Sequence, residues 1–235
     1  MAPTRSPRDV LDEILPSGTP LVVDVGCGDG SLVRHLARRG AHAVGVEVGA
    51  EPLARARARE PVADERYEQA GAQALPLDDG VADVVVFANS LHHVPGGLLD
   101  TALGEAARVV RPGGLVYVQE PVAEGAYFEL LRPIDDETAV RAAALAAIGR
   151  AGRHGLRHER EIRFDNDVVH PDFASFRDRV VLADAARAAA LPPPALTSSR
   201  ITAACSRPRP LPPYSVGIRT ASRPAAVIAA TNASG

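Results

Sequence analysis

One stretch decides the fold of this chain: Val22-Val23-Asp24-Val25-Gly26-Cys27-Gly28-Asp29-Gly30. It begins as an apolar, β-branched run, which favours a buried strand, and then carries glycine at every second position. Residues 31–39 follow with apolar side chains at helical spacing, and Gly40 ends that pattern. The stretch therefore predicts a strand, a glycine loop and a helix in direct succession.

The glycine loop predicts a ligand site. Glycine is favoured where the backbone takes a positive φ or comes close to a ligand, and a helix beginning there presents free N–H groups. A nucleotide cofactor is the usual ligand at this place in an α/β sheet. A dinucleotide fingerprint, G-x-G-x-x-G, requires glycine where this chain has Ser31. Asp24 precedes the loop and suits a cationic ligand better than a pyrophosphate, which disfavours a nicotinamide-dependent oxidoreductase.

Strand and helix patterns alternate along the rest of the chain. The sequence predicts strands at 43–48, 82–87, 115–121 and 161–165, and helices at 7–15, 52–59, 100–110, 135–148 and 171–191. Alternation of this kind is typical of an α/β fold with a largely parallel sheet.

Four features together resemble the class I S-adenosylmethionine-dependent methyltransferases, in their small-molecule branch. They are Asp24-x-Gly26-x-Gly28-x-Gly30, Glu47, Leu91-His92-His93-Val94, and Arg111-Pro112-Gly113-Gly114 followed by a strand and Glu120-Pro121. The resemblance covers roughly residues 8–190. It implies a doubly wound, mostly parallel, seven-stranded Rossmann-like sheet with helices on both faces. It also implies methyl transfer from S-adenosylmethionine to an O, N or C atom of a small-molecule acceptor.

The resemblance also implies which residues bind the cofactor. Asp24 and Asn89 are expected at its amino-acid end, Glu47 at the ribose, and Val48, Ala72 and Gln73 around the adenine. The spacing of Glu47, about twenty residues past the loop, independently favours the ribose role. Close backbone approach is expected at Gly26, Gly28 and Gly30, with Cys27 between them as a packing residue and not a nucleophile.

One position departs from the family pattern. Gly71 stands where these methyltransferases often have an aspartate near the adenine amino group. Adenine recognition is therefore expected to depend on backbone groups or on Gln73. A cofactor-binding protein without turnover is accordingly the second alternative.

His92, His93 and Glu120 are the acid–base candidates. They follow neighbouring predicted strands, and a carboxylate beside an imidazole raises its basicity and holds its tautomer. The alternative is a structural role, in which a histidine at a helix start bonds to the backbone. No metal is expected, because side chains of adjacent residues point apart and no further ligands follow at metal spacing.

Composition excludes several function classes. The chain has 235 residues, no lysine and a net charge of −3, which gives no support for nucleic acid or a membrane surface as partner. Two distant cysteines argue against a disulfide framework and favour a cytoplasmic location. The acceptor and the oligomeric state do not follow from the sequence.

The composition changes at Pro192. Residues 192–235 contain no Asp or Glu, five Arg and eight of the 20 Pro, which predicts a low-order tail after a methyltransferase domain at 1–191. Related methyltransferases generally close the sheet with a final antiparallel strand, and no convincing one is found there. A frameshifted C-terminus is one hypothesis for this change, and the nucleotide sequence tests it.

Overall fold

The computed structural model describes residues 5–162, 164, 172–183 and 227–229. Within them the helices are α1 (Pro7–Asp12), α2 (Ser31–Arg38), α3 (Ala50–Arg57), α4 (Leu99–Val109), α5 (Ala126–Leu131), α6 (Thr138–Gly149) and α7 (Phe173–Ala183). The strands are β1 (Leu21–Val25), β2 (His42–Glu47), β3 (Arg66–Gln69), β4 (Ala82–Ala88), β5 (Val110–Gln119), β6 (Arg157–Arg160) and β7 (Val227–Ala229).

Five parallel strands form the sheet, in the order β3-β2-β1-β4-β5. The order reverses between β1 and β4, which makes the crevice beyond their carboxyl ends the expected ligand site of such a sheet. The expected α/β Rossmann-like fold is confirmed for these five strands. The backbone of β7 lies antiparallel to β5, and β6 lies antiparallel to β7.

The sheet separates two apolar cores. On one face α4 and α6 pack against Val23, Val85 and Val116, and on the other face α1 and α2 pack against Val22 and Val84. Strands buried on both faces carry continuous apolar runs, as the sequence of β1 and β4 does. Both cores hold the carboxyl ends of β1 and β4 in fixed positions.

Among the strands and helices named above, the sequence analysis missed three and misplaced one. Edge strand β3 reads Arg66-Tyr67-Glu68-Gln69 and is mostly exposed, so it carries no hydrophobic pattern, and the short α5 was missed too. Strand β7 lies in the tail, where no convincing strand was expected. The strand predicted at 161–165 lies earlier, at β6. Ile162 and Phe164 instead pack against Val10 of α1.

Several predictions fall outside the described residues. They concern positions 163 and 165, the part of the predicted last helix beyond Ala183, and the tail at 192–235 apart from β7. Within the described residues, no helix combines the length and apolarity that crossing a bilayer requires.

Candidate functional site

A cavity of about 560 Å³ opens at the carboxyl ends of β1, β4 and β5. Its walls come from α1, the glycine loop and the strand ends, and include Arg8, Asp24, Gly26, Ser31, Asn89 and Gln119. This size is within the range of small-molecule sites, and the place is the switch point of the strand order. The cavity therefore joins the predicted Asp24 and Asn89 in one site.

The three loop glycines all have a positive φ, but for different reasons. A Cβ on Gly26 would lie 2.6 Å from the Cβ of Ser90, and one on Gly30 would lie 2.6 Å from the ring of Tyr67. A Cβ on Gly28 would have no atom within 4 Å. Packing within the protein thus accounts for Gly26 and Gly30, and only Gly28 has open space where a ligand could approach.

Asp24 is a buried carboxyl group, with 2% of its surface exposed. Burial, together with the nearby Glu47 carboxylate, raises the pKa of Asp24 to about 7. Its side chain accepts no hydrogen bond from any group in the described part of the chain. A buried carboxylate of this kind is costly unless a cation pairs with it, so Asp24 is suited to a positively charged ligand group.

Glu47 ties the end of β2 to the glycine loop. Its Oε2 accepts a hydrogen bond from the N–H of Gly28 at 2.9 Å, and its Oε1 accepts one from the N–H of Gly49 at 2.8 Å. Each carboxylate oxygen can accept a second bond. Glu47 therefore fixes the loop and keeps the capacity to accept bonds from ligand hydroxyl groups.

Asn89 has φ +57, the only positive φ of a non-glycine residue within the described ranges. Its backbone N–H donates to the carbonyl of Gln119 at 2.8 Å, which links the ends of β4 and β5. Asparagine tolerates the left-handed region better than most residues, and strained backbone of this kind is frequent at functional sites.

The predicted adenine residues are not among those that line this cavity. Val48, next to Glu47, is 69% exposed, an unusual exposure for a large apolar side chain. The carboxamide of Gln73 lies over Gly71. A Cβ added to Gly71 would be only 2.5 Å from Oε1 of Gln73. Ala72 lies in the same turn, and Gln73 occupies the space into which an aspartate at position 71 would extend.

Cys27 lines the cavity between the loop glycines. Its thiol is buried against the Cα of Gly45, and burial raises its pKa further above the ordinary thiol value. A thiol that stays protonated is a poor nucleophile.

The predicted pairing of His92 with Glu120 is present, and both side chains are buried. Glu120 Oε2 bonds to Nδ1 of His92, while its Oε1 accepts from the backbone N–H groups of Leu91 and His92. The carboxylate thus holds the turn after β4 in place. This pair lies on the α6 side and does not line the cavity.

The geometric argument against a metal was wrong. The rings of His92 and His93 lie only 4.0 Å apart between centroids, and Glu137 joins them, with the three ligand atoms within 4.8 Å of one another. The short 3-10 turn at 91–93 brings the two rings together, and α6 begins beside them. Arg141 already bonds to the Glu137 carboxylate, so a cation there would compete with that guanidinium.

Replacing Glu120 with Ala should cost about 3–5 kcal/mol of unfolding free energy, because it leaves three buried donors without their acceptor. Urea unfolding of both proteins measures this loss. Glu124→Ala, close by in sequence, is the control and should change stability by less than about 0.5 kcal/mol. A loss below 1 kcal/mol for Glu120→Ala would mean that the pair does not hold the turn.

The cavity residues that the sequence analysis missed include Arg8, Ser31 and Gln119. Gln119 is the last residue of β5, so its place at a strand end was the available signal. Nothing in the sequence indicated Arg8, because its position depends on how α1 packs across the sheet.

Comparison with known proteins finds relatives of this chain. Residues 23–118 match the family model described as a methyltransferase domain. An uncharacterized methyltransferase of Mycobacterium tuberculosis is 38% identical over 109 residues, which are 46% of this chain and 54% of that protein. The ubiquinone biosynthesis O-methyltransferase of Aeromonas salmonicida is 41% identical over 101 residues, which are 41% of each chain.

This chain spans about half the length of the curated relatives it matches. Among solved structures, the cyclase SpnF has a TM-score of 0.56 at 23% identity, covering 77% of this chain and 72% of that one. At this identity the likeness concerns the fold alone.

Proposed function

Because this chain carries a class I S-adenosylmethionine-dependent methyltransferase domain, we propose that it transfers a methyl group from S-adenosylmethionine to a small-molecule acceptor. One observation carries the proposal. The buried Asp24 carboxyl has no hydrogen-bond partner among the described residues and lines a cavity at the switch point of the sheet. A ligand with a cationic amino group provides the partner that this carboxylate lacks.

The residues of the site fit this cofactor. Asp24 and Asn89 would hold its amino-acid end, and the open space at Gly28 would admit it beside the loop. Glu47 would accept bonds from the ribose hydroxyls. The exposed Val48, with Ala72 and Gln73, would cover the adenine, the amide of Gln73 replacing the carboxylate that Gly71 lacks.

When bound, the cofactor would supply an electrophilic methyl group on its sulfonium. The protein's own task is to hold the acceptor in line, exclude water and remove a proton where the acceptor is a hydroxyl or amine. Helix α1 lines one side of the cavity through Pro7 and Leu11 and would shield a bound ligand from water there. The ends of β4 and β5 would orient the ligand that binds in the cavity beneath α1.

We assign the acid–base role to the group of His92, His93 and Glu120. Glu120 holds the turn, the buried His92 bonds to it, and the more exposed His93 is the member that an acceptor could reach.

Hydroxyl acceptors are the first class to test, because one matched relative is named an O-methyltransferase. The protein would be incubated with methyl-labelled S-adenosylmethionine and a panel of small phenols, amines and activated carbon acids. Labelled product from any class, reduced at least tenfold by His93→Ala, supports the proposal and the assignment. Tight cofactor binding with no product from any class favours a binding protein without turnover, and competition by NAD favours an oxidoreductase.

We also propose that the sheet has seven strands. The antiparallel placement of β6 and β7 beyond β5 supports this. A seventh strand at Val227–Ala229 would extend the methyltransferase domain beyond residue 191, the boundary that the composition predicts. Amide hydrogen exchange tests it, because protection at Val227–Ala229 is expected only if that strand is paired.

A further inference from the structure

Two imidazoles and one carboxylate, those of His92, His93 and Glu137, come together on the α6 side of the strand ends. One ligand atom from each lies within 4.8 Å of the others. We propose that these three side chains bind one divalent transition-metal ion of the zinc type. The inference goes beyond the proposed function and does not depend on it, because binding of an ion can be measured without cofactor or acceptor.

The ligand set determines the class of ion. Imidazole nitrogen suits zinc, cobalt, nickel and iron, whereas magnesium and calcium prefer oxygen ligands. Two histidines and one carboxylate are the protein ligands of one type of zinc site, in which a fourth position stays open to water or substrate. His93 is exposed and Glu137 is only partly buried, so that fourth position would face solvent.

Glu120 holds His92 as a metal ligand needs to be held. Its carboxylate bonds to Nδ1 of the buried imidazole, so Nε2 is the nitrogen that can bind an ion. Metal-ligating histidines characteristically bond to a carboxylate or carbonyl through their other nitrogen, which fixes the ring and its tautomer. Glu120 is itself fixed, because it is 0% exposed and accepts bonds from the backbone N–H groups of Leu91 and His92. The ring of His92 is therefore in place before any ion binds.

Glu137 supplies the anionic ligand. Burial opposes its ionisation, but the Arg141 guanidinium and the two nearby imidazoles hold the pKa of Glu137 below its ordinary value. Arg141 donates to Oε2 of this carboxylate, so an ion would bind through the other oxygen, Oε1. Carboxylate ligands in metal sites are commonly hydrogen-bonded in this way. Because the guanidinium and the ion would share one carboxylate, we expect an affinity in the micromolar range.

The charges around the two imidazoles favour a cation. Glu120 bonds to His92, and Glu137 lies beside both rings with Arg141 as its basic partner. With neutral imidazoles, two carboxylates and one guanidinium give this group a net negative charge. A buried charge is costly unless an opposite charge compensates it, and a bound cation would do so.

Only a small movement is needed to assemble the site. A tetrahedral zinc ion has nitrogen and oxygen ligands about 2.0–2.2 Å away, which places them about 3.3–3.6 Å from one another. The separations here are at most 4.8 Å, so they need to close by no more than about 1.5 Å. The exposed side chain of His93, at the end of the 3-10 turn, can rotate to do this while His92 stays fixed.

A bound ion would change how this group handles protons. An imidazole that ligates an ion cannot accept a proton, but a water or hydroxyl oxygen at the open position of the ion has a lowered pKa and can release its proton to solvent. Under the proposed function, the metal-bound protein would therefore deprotonate a hydroxyl acceptor through the ion, and the metal-free protein through His93.

Titration of the untagged, full-length protein with Zn²⁺ and with Co²⁺ tests the site. Calorimetry should give one zinc ion per chain with a dissociation constant in the micromolar range, and Mg²⁺ should bind at least a hundredfold more weakly. Co²⁺ should show the d–d absorption of an ion with few ligands, and Zn²⁺ should abolish that absorption by displacing it.

Variants locate the bound ion. His93→Ala and Glu137→Gln should each weaken zinc about tenfold to a hundredfold or more, and the second of them keeps an acceptor for Arg141. His42→Ala is the matched control, because it also removes a histidine that bonds to a carboxylate, that of Asp64. His42 begins β2 and so lies at the opposite edge of the sheet, and its loss should change zinc affinity less than twofold.

Two results would overturn the inference. Absence of saturable binding of either ion by a protein that unfolds cooperatively would mean that a proton on an imidazole compensates the carboxylates instead. Binding that His93→Ala and Glu137→Gln leave unchanged would place the ion elsewhere in the chain. Neither result bears on methyl transfer, which the assay with labelled cofactor measures separately. Urea unfolding of His93→Ala close to that of the wild type shows that this variant is folded.

Discussion

Asp24→Asn should weaken S-adenosylhomocysteine at least a hundredfold and at the same time make the protein more stable above pH 7. The loss of affinity follows from removing the anion that pairs with the ligand's amino group in a buried site, where a charged hydrogen bond contributes about 1.5–3 kcal/mol or more. The gain in stability follows from removing a buried charge that no protein group compensates in the described structure.

The sign of the pH effect comes from the raised pKa of Asp24. The folded protein holds that proton up to about pH 7, whereas the unfolded chain releases it near the ordinary aspartate pKa of 3.8. The unfolding free energy of the wild type therefore falls as the pH rises from about 4 to 7, and Asn removes this fall. At pH 8 the variant should be more stable by about 2–4 kcal/mol, since each pKa unit corresponds to about 1.36 kcal/mol and the buried amide costs part of that gain.

Urea unfolding at pH 5 and pH 8 measures the stability of both proteins, and calorimetry measures the affinity. Ligand binding by the wild type should weaken below pH 7, because Asp24 must then lose a proton before it can pair with the ligand's amino group. The other ionisable groups around Asp24 are Glu47, the Cys27 thiol and Arg8. Asp29→Asn is the matched control, because it removes a carboxylate from the same loop and Asp29 does not line the cavity. A variant at Asp24 that is destabilised at pH 8, or that binds as the wild type does, contradicts this account.

Alanine in the glycine loop should reduce stability by different amounts at two positions. Gly26→Ala should cost about 3 kcal/mol or more of stability, because it forces alanine into a left-handed conformation and brings its Cβ against Ser90. Ser90 cannot move at little cost, since it is buried and its hydroxyl donates to the carbonyl of Val25 at 2.5 Å. Gly28→Ala has the same backbone strain but open space, so it should cost only about 1–2 kcal/mol.

The binding effects distinguish the same two variants. Gly28→Ala should stay folded and weaken S-adenosylhomocysteine at least tenfold, because its methyl group fills the space left for the ligand. Gly40→Ala, also at a positive φ with open space but at the far end of α2, is the control and should leave affinity unchanged. Similar stability losses at Gly26 and Gly28, or full affinity for Gly28→Ala, would count against the geometry described for the loop.

Sequence predicts an element well when the pattern of apolar residues in that element matches its burial in the folded protein. In β1 the apolar run is buried on both faces, and the glycine loop breaks it at a definite residue. Strand β3 was not predicted, because an exposed edge strand needs no alternation of apolar and polar residues. Its one large ring, Tyr67, packs over Gly30 of the loop, a contact that no local pattern reveals.

The residues of the candidate site also fall into two groups, those whose positions follow from the sequence and those whose positions do not. Asp24, Asn89 and Glu120 follow strand ends, so the topology of a parallel sheet brings them to one edge, and their positions could be predicted. Arg8 and Glu137 reach the site from helices whose docking depends on packing across the sheet. The closeness of the His92 and His93 rings depends on a 3-10 turn in place of an extended segment, which sequence spacing alone does not determine.

Calorimetric titration of the folded, full-length protein with S-adenosylhomocysteine tests the central claim most directly. The account predicts stoichiometric binding, with a dissociation constant in the micromolar range or below, that weakens as the pH falls below 7. Absence of binding by a protein that unfolds cooperatively would contradict it and would mean that the cavity beside Asp24 serves another ligand.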